Sequence, residues 1–169
     1  MQEKSLARNG IYKALLNGFN LVIPLLVGPY ITGLLNEELY GIYNRVYTEY
    51  SVFLALASFG IYNYGVREIS RVRNDPVATN KLFTSLFLIG IVSNGAAMLV
   101  YVAYTFWRSS SQIEIYVYLV MLIQLFANIF YVEFANEAKE NYRFIMVKTI
   151  LVRLGYLISI FVFVRKPSD

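Results

Sequence analysis

The chain is 169 residues long, 57% hydrophobic and only 15% charged, with a net charge of +4 and a mean hydropathy of +0.51. Globular domains average about 45–50% apolar and about 25% charged, and one this small exposes too much surface to hide so much apolar side chain. The 15 Tyr and 12 Phe exclude a disordered chain, and the absence of Cys and His excludes disulfides, thiolate or imidazole metal sites and a histidine base. What remains is an integral membrane protein.

Five apolar runs follow one another: 14–35, 46–64, 82–107, 115–132 and 149–164. Of the charged residues, only Glu49 and Arg153 fall inside them. A spanning helix needs about 17–25 mostly apolar residues, and the fifth run reaches that length if 145–148 are added. None alternates in polarity as a barrel strand would, so the predicted fold is all-α with about five transmembrane helices. The first run is too long for a signal peptide and no A-x-A-like site follows it, so it reads as a retained helix. Lys4, Arg8, Lys13, Arg67, Arg71, Arg73, Lys81, Lys139, Arg143 and Lys148 fall on one side, against Arg45, Arg108, Arg165 and Lys166 on the other. The positive-inside rule then places the N-terminus in the cytoplasm and the C-terminus outside. Cations divided among three juxtamembrane segments do not form a nucleic-acid patch, so the pI of 9.2 needs no such partner. Membrane lipids are the expected surroundings of this multi-pass protein.

Between the runs, 67–73 reads as an amphipathic continuation of the second helix, ended by the turn signal Asn74-Asp75-Pro76. Residues 133–143 read as a solvated extension of the fourth. Tyr40, Tyr43, Tyr47, Tyr50, Tyr101, Tyr104 and Trp107 gather at the outer interface, either as an aromatic belt or as a stacking platform for sugars.

In the first run, Lys13, Asn17, Asn20, Pro24 and Gly28 fall within an arc of roughly 80°. Pro24 and Pro29 predict a kink near 24–29, with freed carbonyls that neighbours or cavity water must satisfy. Two readings stay open: a cavity-lining transporter helix, or a kink held by inter-helix hydrogen bonds. In the second run Glu49 follows Arg45 by four residues, as an interfacial ion pair or as a coupling carboxylate. Gly90, Asn94 and Ala97 in the third run are spaced for close helix packing. Gln124 and Asn128 sit one turn apart in the fourth and favour protein or water over lipid. Arg153, about 7 Å beyond Lys148 along a helix, either snorkels to the headgroups or faces a cavity as an anion-binding group, with Thr149 and Tyr156 on its face. No motif or carboxylate pair supports catalysis, a metal site or a cofactor, so the chain reads as a non-enzyme.

Three phrases carry a family resemblance. VGPYITGLLNEELYGIYNRV (27–46) supplies Pro29, Leu35, Glu38, Tyr40 and Gly41; FGIYNYGVREISRVRND (59–75) supplies Gly60, Tyr64, Gly65, Arg67, Glu68 and Ile69; the third is the basic entry into the last run, within 136–169. Together they resemble the N-terminal portion of Wzx-type polysaccharide repeat-unit flippases, in the multidrug/oligosaccharidyl-lipid/polysaccharide exporter superfamily. The resemblance implies a MATE-like transporter with two helical bundles around a central cavity. It also implies alternating access and an undecaprenyl-diphosphate-linked oligosaccharide as substrate, exported for capsule, O-antigen or exopolysaccharide. Cationic cavity residues would engage the diphosphate, a role compatible with Arg153.

Five helices fall short of one such bundle, so residues 1–169 are expected to be a single, truncated transmembrane domain that is incomplete alone. A complementary C-terminal half or polysaccharide-assembly proteins would then be its partners. A non-transporting remnant or assembly subunit, and a membrane glycan polymerase, are the alternatives; the short outer loops argue against the polymerase.

Overall fold

A computed structural model describes residues 6–165, all of whose regular structure is helical. Lys4, Lys166 and the side chain of Arg8 lie outside the described residues. The elements in order are α1 (Leu6–Leu34), α2 (Glu37–Ser58), α3 (Ile61–Val72), α4 (Pro76–Arg108), α5 (Gln112–Ala127), a 3-10 turn (Asn128–Phe130), α6 (Glu133–Ala138) and α7 (Tyr142–Phe163). Contacts divide the chain into two compact units, one built on α1 and α7 and the other on Gly41–Lys139.

In the first unit, α1 passes through Pro24 and Pro29 without interruption. Ile23 and Val27 are buried against Ile160 of α7, flanked by Phe19 and Leu157. Near the C-terminal ends, Tyr30 packs on Phe161 at 4.7 Å and its hydroxyl donates to the Val164 carbonyl at 2.7 Å, satisfying an acceptor that the end of α7 leaves open. Near the N-terminal ends, the Lys13 ammonium lies 5.5 Å from the Tyr142 ring. Early residues meet early residues and late meet late, so α1 and α7 run parallel.

That direction decides the number of crossings. Four segments are both long and apolar enough to span: Asn9–Leu34, Pro76–Arg108, Gln112–Ala138 and Tyr142–Phe163. Four crossings alone would make the first and last antiparallel. Parallel α1 and α7 require an odd number of crossings between them, so α2 with α3 crosses as well.

The second unit shows α2–α3 lying along the whole of α4. Arg108, at the C-terminal end of α4, faces Glu49 of α2 at 3.7 Å. Midway, Ser93 of α4 donates to the Ala57 carbonyl of α2 at 2.8 Å. At the other end, Thr79 of α4 donates to the Val72 carbonyl of α3 at 3.0 Å. The core between α2, α4 and α5 is Val46, Tyr50, Ala57, Ala97, Tyr101, Tyr118, Met121 and Leu125. Ala97 and Asn94 are buried on the small-residue face of α4, as their spacing predicts. Asp75 caps α4, accepting from the Val77 and Ala78 amides with Pro76 in the first turn, where its missing N–H costs nothing.

The helix boundaries depart from the sequence reading in three places. The second predicted span (46–64) is split at Phe59 and Gly60, whose φ values of 42° and 68° are left-handed; α3 is thus a separate helix rather than a continuation of α2. Glycine adopts this conformation without the Cβ penalty, which gives Gly60 its place in the motif. The fourth predicted span (115–132) is split after Ala127, and α6 is a short packed helix with Phe134 and Ala138 buried, not a solvated extension. The fifth begins at Tyr142, seven residues before the apolar run.

A second core joins the inner ends: Ile69 of α3, Leu86 of α4, Phe134 and Ala138 of α6. Here Gly65 is indispensable. A Cβ at Gly65 would stand 2.6 Å from a ring carbon of Phe134, which is only 2% exposed. Glu68 accepts from Arg67 at 2.8 Å and from Arg71 at 3.0 and 3.1 Å, and Arg67 above all holds its carboxyl below the usual range. We expect Gly65→Ala to lower unfolding stability in detergent by about 1–3 kcal/mol through overpacking. Gly95→Ala, where a Cβ meets nothing within 4 Å, is expected to leave stability unchanged or raise it.

Candidate functional site

Helix ends leave backbone carbonyls without intrahelical partners, and a bilayer offers no water to satisfy them. Two such ends meet near the midpoint of α4. Ala57, in the last turn of α2, presents its carbonyl to Ser93 at 2.8 Å and to the Asn94 amide nitrogen at 3.4 Å. The same Asn94 nitrogen donates to the Gly90 carbonyl at 2.8 Å. Its oxygen accepts from the Asn128 amide at 2.9 Å, where α5 gives way to the 3-10 turn. Asn94 is 3% exposed and therefore ties both breaks to one helix.

The two breaks open a cavity of about 350 Å³ beside Asn94. Ser58 and Tyr62 border it from the first break, Asn128 and Tyr131 from the second, and Gly90 from α4. Tyr62 and Tyr131 lie nearly parallel, 18° apart with ring centroids at 6.0 Å. The Tyr62 hydroxyl donates to the Glu137 carboxylate of α6, which locks α3 to α6 below the cavity. No residue lining this cavity is charged.

A charged cluster occupies the opposite end of the second unit. Arg45 of α2 pairs with Glu114 of α5, and Glu114 also accepts from the Ser110 amide at 2.9 Å. Glu49 accepts from the Tyr118 hydroxyl and lies near Arg108. The Tyr118 carbonyl accepts from the buried Tyr101 hydroxyl at 3.1 Å. Arg45 and Glu49 thus do not pair with each other as their spacing suggests. Each finds a partner on a neighbouring helix, where desolvation makes the pairing stronger than on an exposed helix face. Arg108, Glu114 and Tyr118 went unnoticed in the sequence because each lies far along the chain from its partner.

The remaining candidates separate clearly. Asn128 lies at the cavity, whereas Gln124, one turn earlier, is exposed and does not line it. Asn17 and Pro24 are exposed on α1. Asn20 is half-buried, and its side-chain oxygen is buried without a partner. Arg153 is half-buried at the middle of α7, about 7 Å along the helix from Lys148, and forms no hydrogen bond or ion pair among the described residues. Interpolating between the Lys13–Tyr142 and Tyr30–Phe161 contacts puts Asn20 within about one turn of its level. Pro29, Tyr40 and Gly41 are exposed, as is Tyr64, over which the Arg67 guanidinium stacks at 5.5 Å.

A double-mutant cycle distinguishes the two pairing schemes at the charged end. Arg45→Met with Glu114→Gln should show a coupling energy of about 0.5–3 kcal/mol in unfolding measurements. Arg45→Met with Glu49→Gln should show a smaller coupling than that pair, because Arg45 bonds Glu114 directly and feels Glu49 only through the shared cluster.

No solved structure matches the chain. A curated protein of Escherichia coli (strain K12) named "Putative O-antigen transporter" is 23% identical over 165 residues, which cover 98% of this chain and 40% of that protein. The chain therefore spans about two fifths of the length of this relative. The family described as "Polysaccharide biosynthesis protein" matches residues 6–169. With nearly every residue inside that match, this multi-pass helical membrane protein belongs to the polysaccharide biosynthesis protein family.

Proposed function

We propose that the chain forms part of an exporter that moves undecaprenyl-diphosphate-linked oligosaccharide repeat units across the bacterial cytoplasmic membrane. The products would be capsule, O-antigen or exopolysaccharide. The family match across residues 6–169 carries this reading. Family membership places the chain in polysaccharide biosynthesis, and apolar spanning helices fit a role in moving intermediates through the bilayer. The relative's name as an O-antigen transporter points the same way. The N-terminus is placed in the cytoplasm by the Lys and Arg bias. Its partners are the lipid-linked substrate, the surrounding lipids and the further helices that complete the transport path, on the same chain or another.

Within this reading Arg153 takes the diphosphate. A guanidinium inside an apolar run is costly unless it reaches the headgroups or faces a polar pathway, and its fork of donors matches phosphate oxygens. Asn20 supplies a neighbouring polar group at that level. The gene encoding this chain, expressed together with the sequence that supplies the remaining helices of the path, should restore surface polysaccharide in a flippase-deficient strain. Arg153→Gln should cut that export by about tenfold or more at equal membrane abundance, the scale of one lost charge-assisted contact, with Arg153→Lys intermediate. Failure of the wild-type gene despite membrane insertion, or full export by Arg153→Gln, would contradict the assignment.

A further inference from the structure

The cavity at the two helix breaks is a second polar site, separate from Arg153, and its lining states what it can hold. A volume of about 350 Å³ lies at the lower end of the range of small-molecule pockets, roughly 300–1,000 Å³. The walls are mostly apolar, with polar groups confined to Ser58, Tyr62, Asn94, Asn128 and Tyr131. Because none is ionisable near neutral pH, and the charge behind Tyr62 is the Glu137 carboxylate, the cavity offers no counter-charge to a phosphate or a carboxylate sugar, and burying either of these unpaired is strongly unfavourable. A purely apolar occupant such as an acyl chain would cover the Asn128 amide without giving it a partner, which also costs free energy. The carboxamide oxygen of Asn128 makes no hydrogen bond among the described residues, and neither does the Tyr131 hydroxyl. Both are therefore open to an incoming hydroxyl. The Tyr and Phe134 rings supply flat apolar faces beside these groups.

We propose that this cavity binds one neutral pyranose unit of a glycan, its hydroxyls paired with Asn128 and Tyr131 and its C–H face against an aromatic ring. Choosing a sugar over other neutral polar molecules of that size rests on the exporter reading; the exclusion of anionic ligands rests on the lining and on the Glu137 carboxylate behind it. The site divides the labour of recognition: the diphosphate goes to a cation elsewhere in the protein, and an uncharged sugar goes to the junction around Asn94. Asn94 itself positions rather than binds, because its amide is committed to Ala57, Gly90 and Asn128.

The test is saturation-transfer NMR on the full chain in lipid nanodiscs. The probes are methyl glucoside, methyl galactoside and N-acetylglucosamine, compared with glucuronic acid and inorganic diphosphate. At least one neutral pyranoside should bind, and neither glucuronic acid nor diphosphate should compete. Gly90→Leu fills the cavity from a position where a Cβ meets only Ile61, at 3.7 Å, and should abolish the signal. Tyr131→Phe, which keeps the cavity, should weaken binding by about tenfold, the scale of one lost hydrogen bond to a ligand; Asn128→Ala, which also removes the bond to Asn94, should weaken it by at least as much. Helical circular dichroism and thermal unfolding identify a variant that has failed to fold, and the other two then decide. Binding of no neutral pyranoside, displacement by diphosphate, or wild-type binding in the folded variants overturns the proposal. Sugar binding without glycan export in the complementation assay would leave this site standing and remove the exporter reading. Export without sugar binding would do the reverse.

Discussion

A broken helix inside a bilayer must satisfy its freed backbone groups with protein, because no water is there to do it. Most of the second unit's architecture follows from that constraint. α2 ends at Ser58 and α5 at Ala127, and both ends are brought to one residue, Asn94. Small residues around Asn94 let the backbones approach closely enough for a short amide to reach across. The same close approach recurs at Gly65, where ring and backbone touch with no room for a methyl group. The cavity is the space between two kinked segments that cannot straighten without abandoning these hydrogen bonds.

Charge is treated in the same manner at the other end. The four ionised groups Arg45, Glu49, Arg108 and Glu114 carry no net charge together and are matched across α2, α4 and α5. This explains why α2 is insufficiently apolar by composition yet lies along two helices that are apolar enough. Its charges occupy one end and are paired there, leaving 50–58 free of charge at mid-depth. The basic residues assigned to the outer side by the charge bias include Arg45 and Arg108, both facing carboxylates in this cluster.

Much of this was legible in the sequence. Four of the five apolar runs coincide with helices long and apolar enough to span, because charge is almost excluded from them, while 46–64 falls across α2 and α3; the spacing of Gly90, Asn94 and Ala97 correctly marks a packed face. What could not be read was where helices break. Gly60 looks like one more tolerated glycine until it is known to be left-handed, and nothing in the Ala127–Val132 stretch is a strong helix breaker. Tertiary hydrogen bonds of Asn94, to the Ala57 carbonyl at one break and from the Asn128 side chain at the other, hold those breaks rather than local propensity. Long-range partners were invisible for a related reason. Spacing along one helix suggests Arg45 with Glu49, and only packing reveals Glu114 and Tyr118. Asn128 and Gln124, one turn apart and equally polar, would share a face of an unbroken helix; the end of α5 at Ala127 separates them, with Asn128 bonded to Asn94 and Gln124 exposed.

The exporter reading and the sugar site both need α2–α3 to lie within the membrane, since Ser58 and Tyr62 border the cavity. The absence of native cysteine makes this directly measurable. Single cysteines at Asn36, Asn74, Ser110 and Lys139, each between or at the ends of helices, can be labelled in intact cells with a membrane-impermeant maleimide. Five crossings predict labelling at Asn36→Cys and Ser110→Cys from outside, and at Asn74→Cys and Lys139→Cys only after the membrane is opened. Equal accessibility of Asn36→Cys and Asn74→Cys would place both ends of α2–α3 on one side and contradict the account.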